Sequence, residues 1–327
     1  MKLRAIILIS IMAVLDGLLS VWMAQQSYSW FPPQASAEAK LYDQLFSIFV
    51  GLGTFIWVGV MVPIFYSLIF HRAAKYDASD GPAIAGSTTL EVIWTLIPVV
   101  IVLSLSLVSY RTYDKMGTQG PETLVHLHAP HLMESAYAEP VEREPEEPAS
   151  VETNPVESVD VTAKQWAWVF HYPEQDVTST ELHLPVDRRV RLVLRSEDVL
   201  HGFYVPAFRV KQDVVPNHTI DFEFTPTRTG TYRLRDSMYS GAYFAANQSN
   251  VVVQSPQGYQ QWLAMAASQT PQPAYNQAAD EYSQNNNNVA VRGWKRVVPA
   301  PPPVVNYAPR YAEEPESSDD PENHLEG

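Results

Sequence analysis

Three long apolar segments near the start of the chain constrain its fold more than any other feature. They cover Ala5–Ala24, Leu45–Phe70 and Val92–Tyr110. A helix needs roughly 20 apolar residues to cross the hydrocarbon core of a bilayer. Aromatic side chains stand near the ends of the second and third segments, where membrane helices meet the lipid headgroups. We therefore predict a transmembrane helical hairpin over residues 40–112.

The first segment is open to two interpretations. It follows Lys2 and Arg4, so residues 1–30 fit either a cleaved signal peptide or a first transmembrane helix. Asp16 interrupts the segment, and a charge at a helix centre costs about 2.5–3.5 kcal/mol on insertion scales. Asp16 is expected either to contact a partner helix or to be tolerated in a signal sequence or near a helix end. A clear cleavage site is lacking, which favours the retained helix.

Basic residues in the short loops set the orientation. Lys2 and Arg4 precede the first segment, and His71, Arg72 and Lys75 follow the second. Cytoplasmic loops of membrane proteins are enriched in lysine and arginine. Both clusters are therefore assigned to the cytoplasmic side, and the third segment runs outward. Everything after Tyr110 is predicted to lie outside the cytoplasm, whether or not the first segment is cleaved.

Two polar regions flank the part of the chain that follows the membrane segments. Residues 113–158 include a stretch rich in proline and glutamate and are predicted to be a disordered acidic linker. His126, His128 and His131 precede that stretch; a solvated loop is favoured over a loose metal site. Residues 255–327 are predicted to be a disordered tail after a short helix at Tyr259–Ala267, and a solubilising role is favoured over a docking arm.

Between these regions, residues 159–254 read as an all-β domain. Short segments rich in aromatic and β-branched residues are separated by proline and glycine, which is typical of about seven strands. The predicted fold class is two or three transmembrane helices followed by a β-sandwich or small barrel. The net charge of −14 argues against nucleic acid as a partner. The chain has no cysteine, which excludes disulfides, thiolate catalysis and thiolate metal sites.

Several motifs resemble subunit II of the haem–copper terminal oxidases. The resemblance spans roughly residues 40–110 and 159–254. The motifs are Leu90–Pro98 (LEVIWTLIP), Gln165–Trp168 (QWAW), Asp198–Pro206 (DVLHGFYVP) and Gly230–Tyr232 (GTY). The resemblance implies that the outer domain is a cupredoxin-like β-sandwich. In copper-bearing members, the loop after the last motif supplies two bridging cysteines, a backbone carbonyl, a histidine and a methionine to a dinuclear copper centre.

Aligned by that spacing, the loop of this chain lacks the ligands. His201 matches the first copper ligand; Asp236 and Ser240 stand at the cysteine positions, Met238 at the glutamate position, Phe244 at the histidine position and Asn247 at the methionine position. A mixed-valence copper pair needs soft sulfur ligands together with imidazoles. We therefore expect no metal and no catalytic residue in this chain, and we interpret these six positions as a vestigial copper site.

Family members without this centre are quinol oxidases, in which quinol reduces the haems of subunit I from within the membrane. Tyr172–Gln175 and the sequence around Tyr239–Gly241 resemble the quinol-oxidase version, and the N-terminal layout resembles the copper-less alternative terminal oxidase of cyanobacteria. The resemblance implies subunits I and III as partners, haem and copper in subunit I, contact with lipid, and quinol as substrate of the complex. It also implies proton translocation and a plasma or thylakoid membrane, with the outer domain periplasmic or luminal.

The resemblance also assigns roles to individual residues. Glu91 matches the carboxylate at the mouth of a proton channel, although a glutamate at a helix N-terminus is also favoured by the helix dipole. Trp166 matches the tryptophan that accepts electrons from cytochrome c; without copper, Trp166 and Trp168 are expected to pack in the domain. His201 is expected to be structural. Asp236 is expected to pair with Arg233, Arg235 or His201, in place of a metal.

Two alternatives remain open at this point. The chain is either a cytochrome c oxidase subunit with a degenerate copper site or a membrane-tethered cupredoxin-like binding or assembly module. The acidic and basic residues of 159–254 number 11 and 10, a net charge of −1. A surface that attracts a basic cytochrome would be expected to have an acidic bias. This balance favours the quinol oxidase.

Overall fold

The computed structural model describes residues 3–72, 86–117, 157–286 and 297–309. The chain divides into two compact units. One contains residues 1–32 and 40–116, and the other contains residues 33–39 and 117–327. The linker was predicted to cover residues 113–158. The third helix continues to Met116, and the first strand already begins at Glu157, so regular structure extends into both ends of that range. Most of that linker, including His126, His128 and His131, lies outside the described residues.

Three helices form the membrane unit: α1 (Leu3–Gln26), α2 (Ala37–Phe70) and α3 (Thr88–Met116). Each is long and apolar enough to cross a bilayer. Large apolar side chains stay exposed along all three, as expected of surfaces that face lipid or other membrane helices. The described chain therefore supports the three-helix form of the predicted architecture.

Small residues let α1 approach α2 closely. A Cβ added at Gly51 of α2 would lie 3.2 Å from the Cβ of Ala24, and one added at Gly59 would lie 3.6 Å from an Asp16 carboxylate oxygen. Asp16 is buried, and Ser20 hydrogen-bonds its other carboxylate oxygen at 3.5 Å. Close packing of small residues is the usual basis of helix association in membranes. Asp16 thus contacts a partner helix, the first of its two expected roles.

The outer domain is a sandwich of two five-stranded sheets. Sheet 1 has the order β3-β2-β1-β5-β8 and contains β1 (Glu157–Lys164), β2 (Ala167–Tyr172), β3 (Val177–Ser179), β5 (Val190–Ser196) and β8 (Ile220–Phe224). Sheet 2 has the order β4-β10-β9-β6-β7 and contains β4 (Leu182–Pro185), β6 (His201–Val205), β7 (Val210–Val214), β9 (Gly230–Asp236) and β10 (Gln248–Gln254). The predicted cupredoxin-like fold class is confirmed.

Alternating apolar residues on the strands fill one core between the sheets. Val159, Val161 and Ala163 of β1 are buried at every second position, as the period of a strand requires. Strand β1 pairs antiparallel with β2 but parallel with β5, and β10 pairs antiparallel with β9 but parallel with β4. The core cluster includes residues of both sheets, from Leu192 of β5 to Leu234 of β9.

Residues 33–39, between α1 and α2, belong to the outer-domain unit. Ala35 is fully buried, and its backbone N–H donates to the Ala207 carbonyl at 3.0 Å. Ser36 donates from Oγ to the Phe208 carbonyl at 2.9 Å. Glu38 accepts a hydrogen bond from Arg189 at 2.9 Å. This connection is therefore on the same side of the membrane as the sandwich, as expected for an α1 that remains in the chain.

The short helix predicted at Tyr259–Ala267 is present, but the predicted disorder of the tail is wrong for residues 268–286 and 297–309. After β10 the chain forms α4 (Pro256–Ala267), β11 (Gln272–Pro273), α5 (Gln277–Asn286) and β12 (Val304–Val305). Helix α4 buries Tyr259, Trp262, Leu263 and Ala266 against the sandwich core. These side chains recur with helical spacing, which outweighs the polar composition around them. Residues 287–296 and 310–327 lie outside the described chain.

Residues 268–286 and 297–309, called the C-terminal strap below, return along the edge of sheet 1. Tyr307 pairs with Ser179 of β3 in a parallel bridge. Its ring lies edge-on to Trp262 of α4, at a centroid distance of 5.6 Å. Strand β12 pairs with β11 inside the strap. The edge strand β3 is thus covered by the protein's own C-terminal residues, which removes an open sheet edge.

Candidate functional site

The six positions that were predicted to form a vestigial copper site lie at the start of β6, at the end of β9 and in the loop between β9 and β10. His201 is the first residue of β6, and Asp236 is the last residue of β9. The two strands are antiparallel neighbours, with Phe203 opposite Asp236. Gly202 permits the close approach of the loop that follows β9, because a Cβ at Gly202 would lie 2.2 Å from Ser237 Oγ. Antiparallel pairing therefore brings His201 and Asp236 to the same end of sheet 2.

The Asp236 carboxylate is the centre of a buried hydrogen-bond network. Its Oδ2 lies 2.7 Å from His201 Nδ1, and it accepts from Ser240 Oγ at 2.8 Å and Asn247 Nδ2 at 3.0 Å. Its Oδ1 accepts from the backbone N–H groups of Gly202 at 2.8 Å and Met238 at 3.1 Å. These five contacts supply the hydrogen bonds that a buried carboxylate requires.

His201 is held between two carboxylates. Its second ring nitrogen, Nε2, lies 2.9 Å from Asp198 Oδ1, and its side chain is completely buried. Burial alone lowers the pKa of His201, but the hydrogen bonds with Asp198 and Asp236 outweigh it and raise the pKa to about 9. Burial raises the pKa of both aspartates, and their hydrogen bonds, foremost those from His201, lower the pKa below its ordinary range. The site is therefore a protonated imidazole between two ionised carboxylates.

The expected pairing of Asp236 is confirmed for one of its three candidates. Asp236 pairs with His201, and the ion pairs within the described residues do not join it to Arg233 or Arg235. The contact joins β6 to the end of β9. A metal ion bound by both residues would connect the same two strands. The ion pair makes this connection without a metal.

These residues do not fit a dinuclear copper–thiolate centre. Such a centre needs thiolates, and the chain has no cysteine. Both ring nitrogens of His201 already lie within hydrogen-bond distance of carboxylates, so neither offers a free lone pair to a metal. Residues 3–72, 86–117, 157–286 and 297–309 contain no cluster of three or more histidine or acidic side chains able to hold a metal ion.

Two predicted positions contribute no side chain to the network. Met238 contributes its backbone N–H. Phe244 pairs instead with Tyr239, at a ring centroid distance of 5.3 Å. Tyr239 is 77% exposed, so this pair is an aromatic surface at the tip of the loop. The structure thus brings together the side chains of His201, Asp236, Ser240 and Asn247.

The two tryptophans surround the network and are both buried. Trp166 donates from Nε1 to Ser240 Oγ at 3.1 Å, and Trp168 donates from Nε1 to the Asn247 carbonyl at 3.2 Å. The Trp168 ring also lies edge-on to His201, at a centroid distance of 6.0 Å. Buried indoles usually find such an acceptor. This arrangement is the packing role expected of both residues.

The sequence prediction missed Asp198. Its Oδ1 meets His201, while its Oδ2 accepts from the Gln165 backbone N–H at 2.7 Å. Gln165 in turn donates from its side chain to the Ser240 carbonyl at 2.6 Å. Asp198 stands three residues before His201 in the Asp198–Pro206 motif. A search for a carboxylate beside the retained histidine would have found it.

Glu91 is in the membrane unit, in the first turn of α3. Its backbone N–H donates to the Ser87 carbonyl at 2.9 Å, and its carbonyl accepts from Thr95 Oγ1 at 2.8 Å. The side chain is exposed and lies close to Gly86, where an added Cβ would be 3.0 Å from Oε1. An acidic residue is favourable at this end of a helix.

Two family models cover most of the described chain. The transmembrane domain of cytochrome c oxidase subunit II matches residues 20–112, and its periplasmic domain matches residues 175–255. Cytochrome c oxidase subunit 2 of a Synechocystis species is 31% identical over 82% of this chain and 84% of its own length. This chain belongs to the cytochrome c oxidase subunit II family. It is a multi-pass membrane protein whose C-terminal domain lies outside the cytoplasm, and a component of a terminal oxidase.

Other similar proteins include a quinol oxidase subunit. Quinol oxidase subunit 2 of Bacillus subtilis is 27% identical over 71% of this chain and 65% of its own length. A solved structure of the periplasmic domain of cytochrome oxidase subunit II from Bradyrhizobium japonicum covers 33% of this chain and 90% of that one, with 24% identity and a TM-score of 0.32. The family thus includes relatives named for both electron donors.

Proposed function

We propose that this chain is the subunit II of a haem–copper terminal oxidase that takes its electrons from quinol. The observation that supports this is the closed network at the former copper positions. Asp236 and Ser240 stand where copper-bearing relatives have cysteines, and they hydrogen-bond each other at 2.8 Å. A subunit without thiolates cannot hold the copper pair that accepts electrons from cytochrome c. Quinol, which dissolves in the membrane, needs no such relay.

In this proposal the subunit contains no redox centre. Haem and copper belong to subunit I, which reduces oxygen, and subunit III is a further partner. The exposed apolar surfaces of α1, α2 and α3 offer the area that such partners and lipid would cover. The outer domain retains the cupredoxin-like fold as a scaffold, with the His201–Asp236 pair joining its strands.

Glu91 is proposed as the carboxylate at which protons enter the oxidase from the cytoplasm. It lies in the first turn of α3, at the end of the helix nearest the basic residues that follow α2. Its side chain is exposed. The structural alternative, a favourable charge at a helix N-terminus, predicts no change in turnover when the charge is removed.

A comparison of electron donors tests the proposal. The purified complex is given ubiquinol or plastoquinol in one assay and reduced cytochrome c in another, and oxygen consumption is recorded. Rapid oxidation of either quinol, with little oxidation of cytochrome c, is the expected result. Rapid oxidation of cytochrome c with both quinols left untouched would overturn the proposal.

The cyanobacterial relative named cytochrome c oxidase subunit 2 favours a second candidate, a cytochrome c oxidase with a degenerate electron relay. Metal analysis of the complex separates the two. A purple mixed-valence copper signal that persists after removal of subunit I would establish the second candidate. A chain that fails to co-purify with any haem-bearing subunit would instead be a membrane-tethered binding or assembly module.

A further inference from the structure

A cavity of about 300 Å³ lies in the outer domain beside the two tryptophans. Its walls come from the sandwich and from the C-terminal strap, and they include Trp166, Trp168, Glu181, Arg233, Asn250 and Tyr275. None of His201, Asp236 and Ser240 lines it. This volume is at the lower end of the range for small-molecule sites. The cavity is therefore separate from the former copper network, although it shares the tryptophan wall with it.

Arg233 supplies an unmatched positive charge to this cavity. It is half-buried on β9, directly across from Asn250 of β10. Among the ion pairs of the described residues, none includes Arg233. A guanidinium that is partly removed from water is stabilised by an anionic oxygen, which it binds with two parallel hydrogen bonds. Arg233 is thus placed to receive a carboxylate.

Glu181 supplies a carboxylate to the same wall, and Asn250 orients it. Asn250 is only 6% exposed, and its Nδ2 donates to Glu181 Oε1 at 2.7 Å. The second Glu181 oxygen, Oε2, lies 3.4 Å from His183 Nε2. Asn250 Oδ1 has no hydrogen-bond partner within the described residues, but it is enclosed by protein atoms and is not open to the cavity. The acceptor that the cavity offers is therefore the Glu181 carboxylate.

We propose that this cavity binds a small zwitterion of the amino-acid type. Its carboxylate would meet Arg233, and its ammonium group would donate to the Glu181 carboxylate at the cavity wall. A simple anion fits less well because Glu181, itself only 8% exposed, places a second carboxylate in the wall. The indole rings of Trp166 and Trp168 provide an apolar surface for a side chain. This inference does not depend on which donor the oxidase uses.

The C-terminal strap forms part of the cavity wall. Asn276 donates from Nδ2 to the Trp166 carbonyl at 3.1 Å. Ala300 donates from its N–H to the Gln165 carbonyl at 2.6 Å, and Ala274 donates to the Pro303 carbonyl at 2.8 Å. These bonds attach both arms of the strap to the β1–β2 turn and to each other. The strap thus forms one wall of a defined site and has a role beyond covering a sheet edge.

Calorimetric titration of the purified complex in detergent tests the proposal. The probes are the 20 free L-amino acids, with acetate as a carboxylate without an ammonium group and glycine betaine as a zwitterion without N–H donors. At least one amino acid is expected to bind, and acetate and betaine are expected to bind at least tenfold more weakly, because charge-assisted hydrogen bonds are lost. Absence of binding by every amino acid at millimolar concentration would overturn the proposal, as would equal binding of acetate.

Two matched arginine variants locate the site. Arg233→Gln is expected to weaken binding of the same amino acid about tenfold or more. Arg235→Gln, two residues along β9 and outside the cavity wall, is expected to leave it unchanged. Equal affinity of wild type and Arg233→Gln contradicts the proposed site. A chain shortened after Pro309 removes the acidic residues Glu313 and Glu314; binding that occurs only in this shortened chain would also contradict it, since it would make those residues the natural occupant.

Discussion

The membrane helices expose their large apolar side chains, whereas the outer domain buries them in its own core. Along α2 and α3, Trp57 and Trp94 are 63% and 59% exposed, whereas Phe203 and Leu234 in the sandwich are fully buried. The outer domain also provides the hydrogen-bond donors of the buried Asp236 carboxylate from its own residues, among them Gly202, Ser240 and Asn247. The helices therefore need lipid or partner subunits to cover their apolar side chains. The outer domain covers most of its apolar and polar groups with its own residues. Variants of the network should affect folding, and variants of the helices should affect turnover.

The largest expected loss of stability comes from Asp236→Ala. Removing this carboxylate takes away one of the two partners of the buried His201 charge and the acceptor of Ser240 and Asn247, at a cost of about 3–5 kcal/mol. The matched control is Asp213→Ala on β7, whose carboxylate makes no hydrogen bond or ion pair with the described residues. Thermal unfolding of the purified chain, followed by tryptophan fluorescence, measures both. Equal melting temperatures for the two variants would show that the network does not stabilise the domain.

A smaller effect is expected from pH. The raised pKa of His201, about 9, means that its contribution is fully present below pH 6.5 and is lost as the pH rises toward 9. The loss is on the order of 2–3 kcal/mol. The lowered pKa values of Asp198 and Asp236 have the opposite sign, so their contribution is lost only as the pH falls through the acid range. Unfolding measured from pH 6 to 9 should show a falling midpoint.

His201→Asn controls for other titrating groups, because it removes the imidazole while leaving the aspartates in place. Its unfolding midpoint should be lower at pH 6 and should change less between pH 6.5 and 9 than that of the wild type. A wild-type midpoint that stays constant or rises over this interval would contradict the assigned protonation of His201.

A substitution in the connection between α1 and α2 is expected to cause the third-largest loss of stability. Ser36 accepts from the Ala39 backbone N–H at 3.0 Å, which caps α2, and donates to the Phe208 carbonyl. Ser36→Ala should destabilise the outer domain by about 1–2 kcal/mol. Ser29→Ala removes only an exposed local bond to Gln26 and should change stability by less than about 0.5 kcal/mol. If both variants melt alike, the connection is not a structural part of the domain.

The smallest effect on stability is expected in the membrane unit. Glu91→Gln should change the unfolding free energy by less than about 0.5 kcal/mol, since the side chain is exposed. The oxidase should nevertheless consume oxygen several-fold more slowly, with slower proton uptake from the cytoplasmic side. Glu91→Asp keeps the charge and is expected to retain more of the rate. An unchanged rate in Glu91→Gln would leave only the helix-dipole role.

Much of the fold could be predicted from periodicity alone. Apolar runs located the three helices, and alternation located most strands. The sandwich has ten strands where about seven were predicted, because short breaks divide continuous apolar segments: Gln165 and Trp166 separate β1 from β2, and Pro206–Phe208 separates β6 from β7. Arg209 then adopts a left-handed conformation with φ of 56°, which alternation does not reveal in a non-glycine residue.

Contacts between residues that are far apart in the chain were harder to predict. The spacing of the family's copper loop drew attention to His201 and Asp236. The structure brings the two residues together because their strands, β6 and β9, are neighbours in the sheet. The strap was missed because its anchors, such as Asn276 and Tyr307, lie among prolines, glutamines and asparagines that are typical of disorder. The cavity of Arg233 was also missed, since it exists only where strap and sandwich meet. The predicted short helix at Tyr259–Ala267 was correct, and it begins three residues earlier, at Pro256.

The segment between α1 and α2 has a consequence for how the protein is made. Ala35 is fully enclosed by the outer domain, yet residues 33–39 leave the ribosome long before the strands that surround them. The sandwich therefore cannot complete its packing until α1 and α2 are inserted in the bilayer and residues 33–39 lie on the side of the membrane where the outer domain folds. A fragment that starts after Met116 would leave a vacant groove in place of Ala35, so correct insertion of the membrane anchor is a condition for finishing the soluble part.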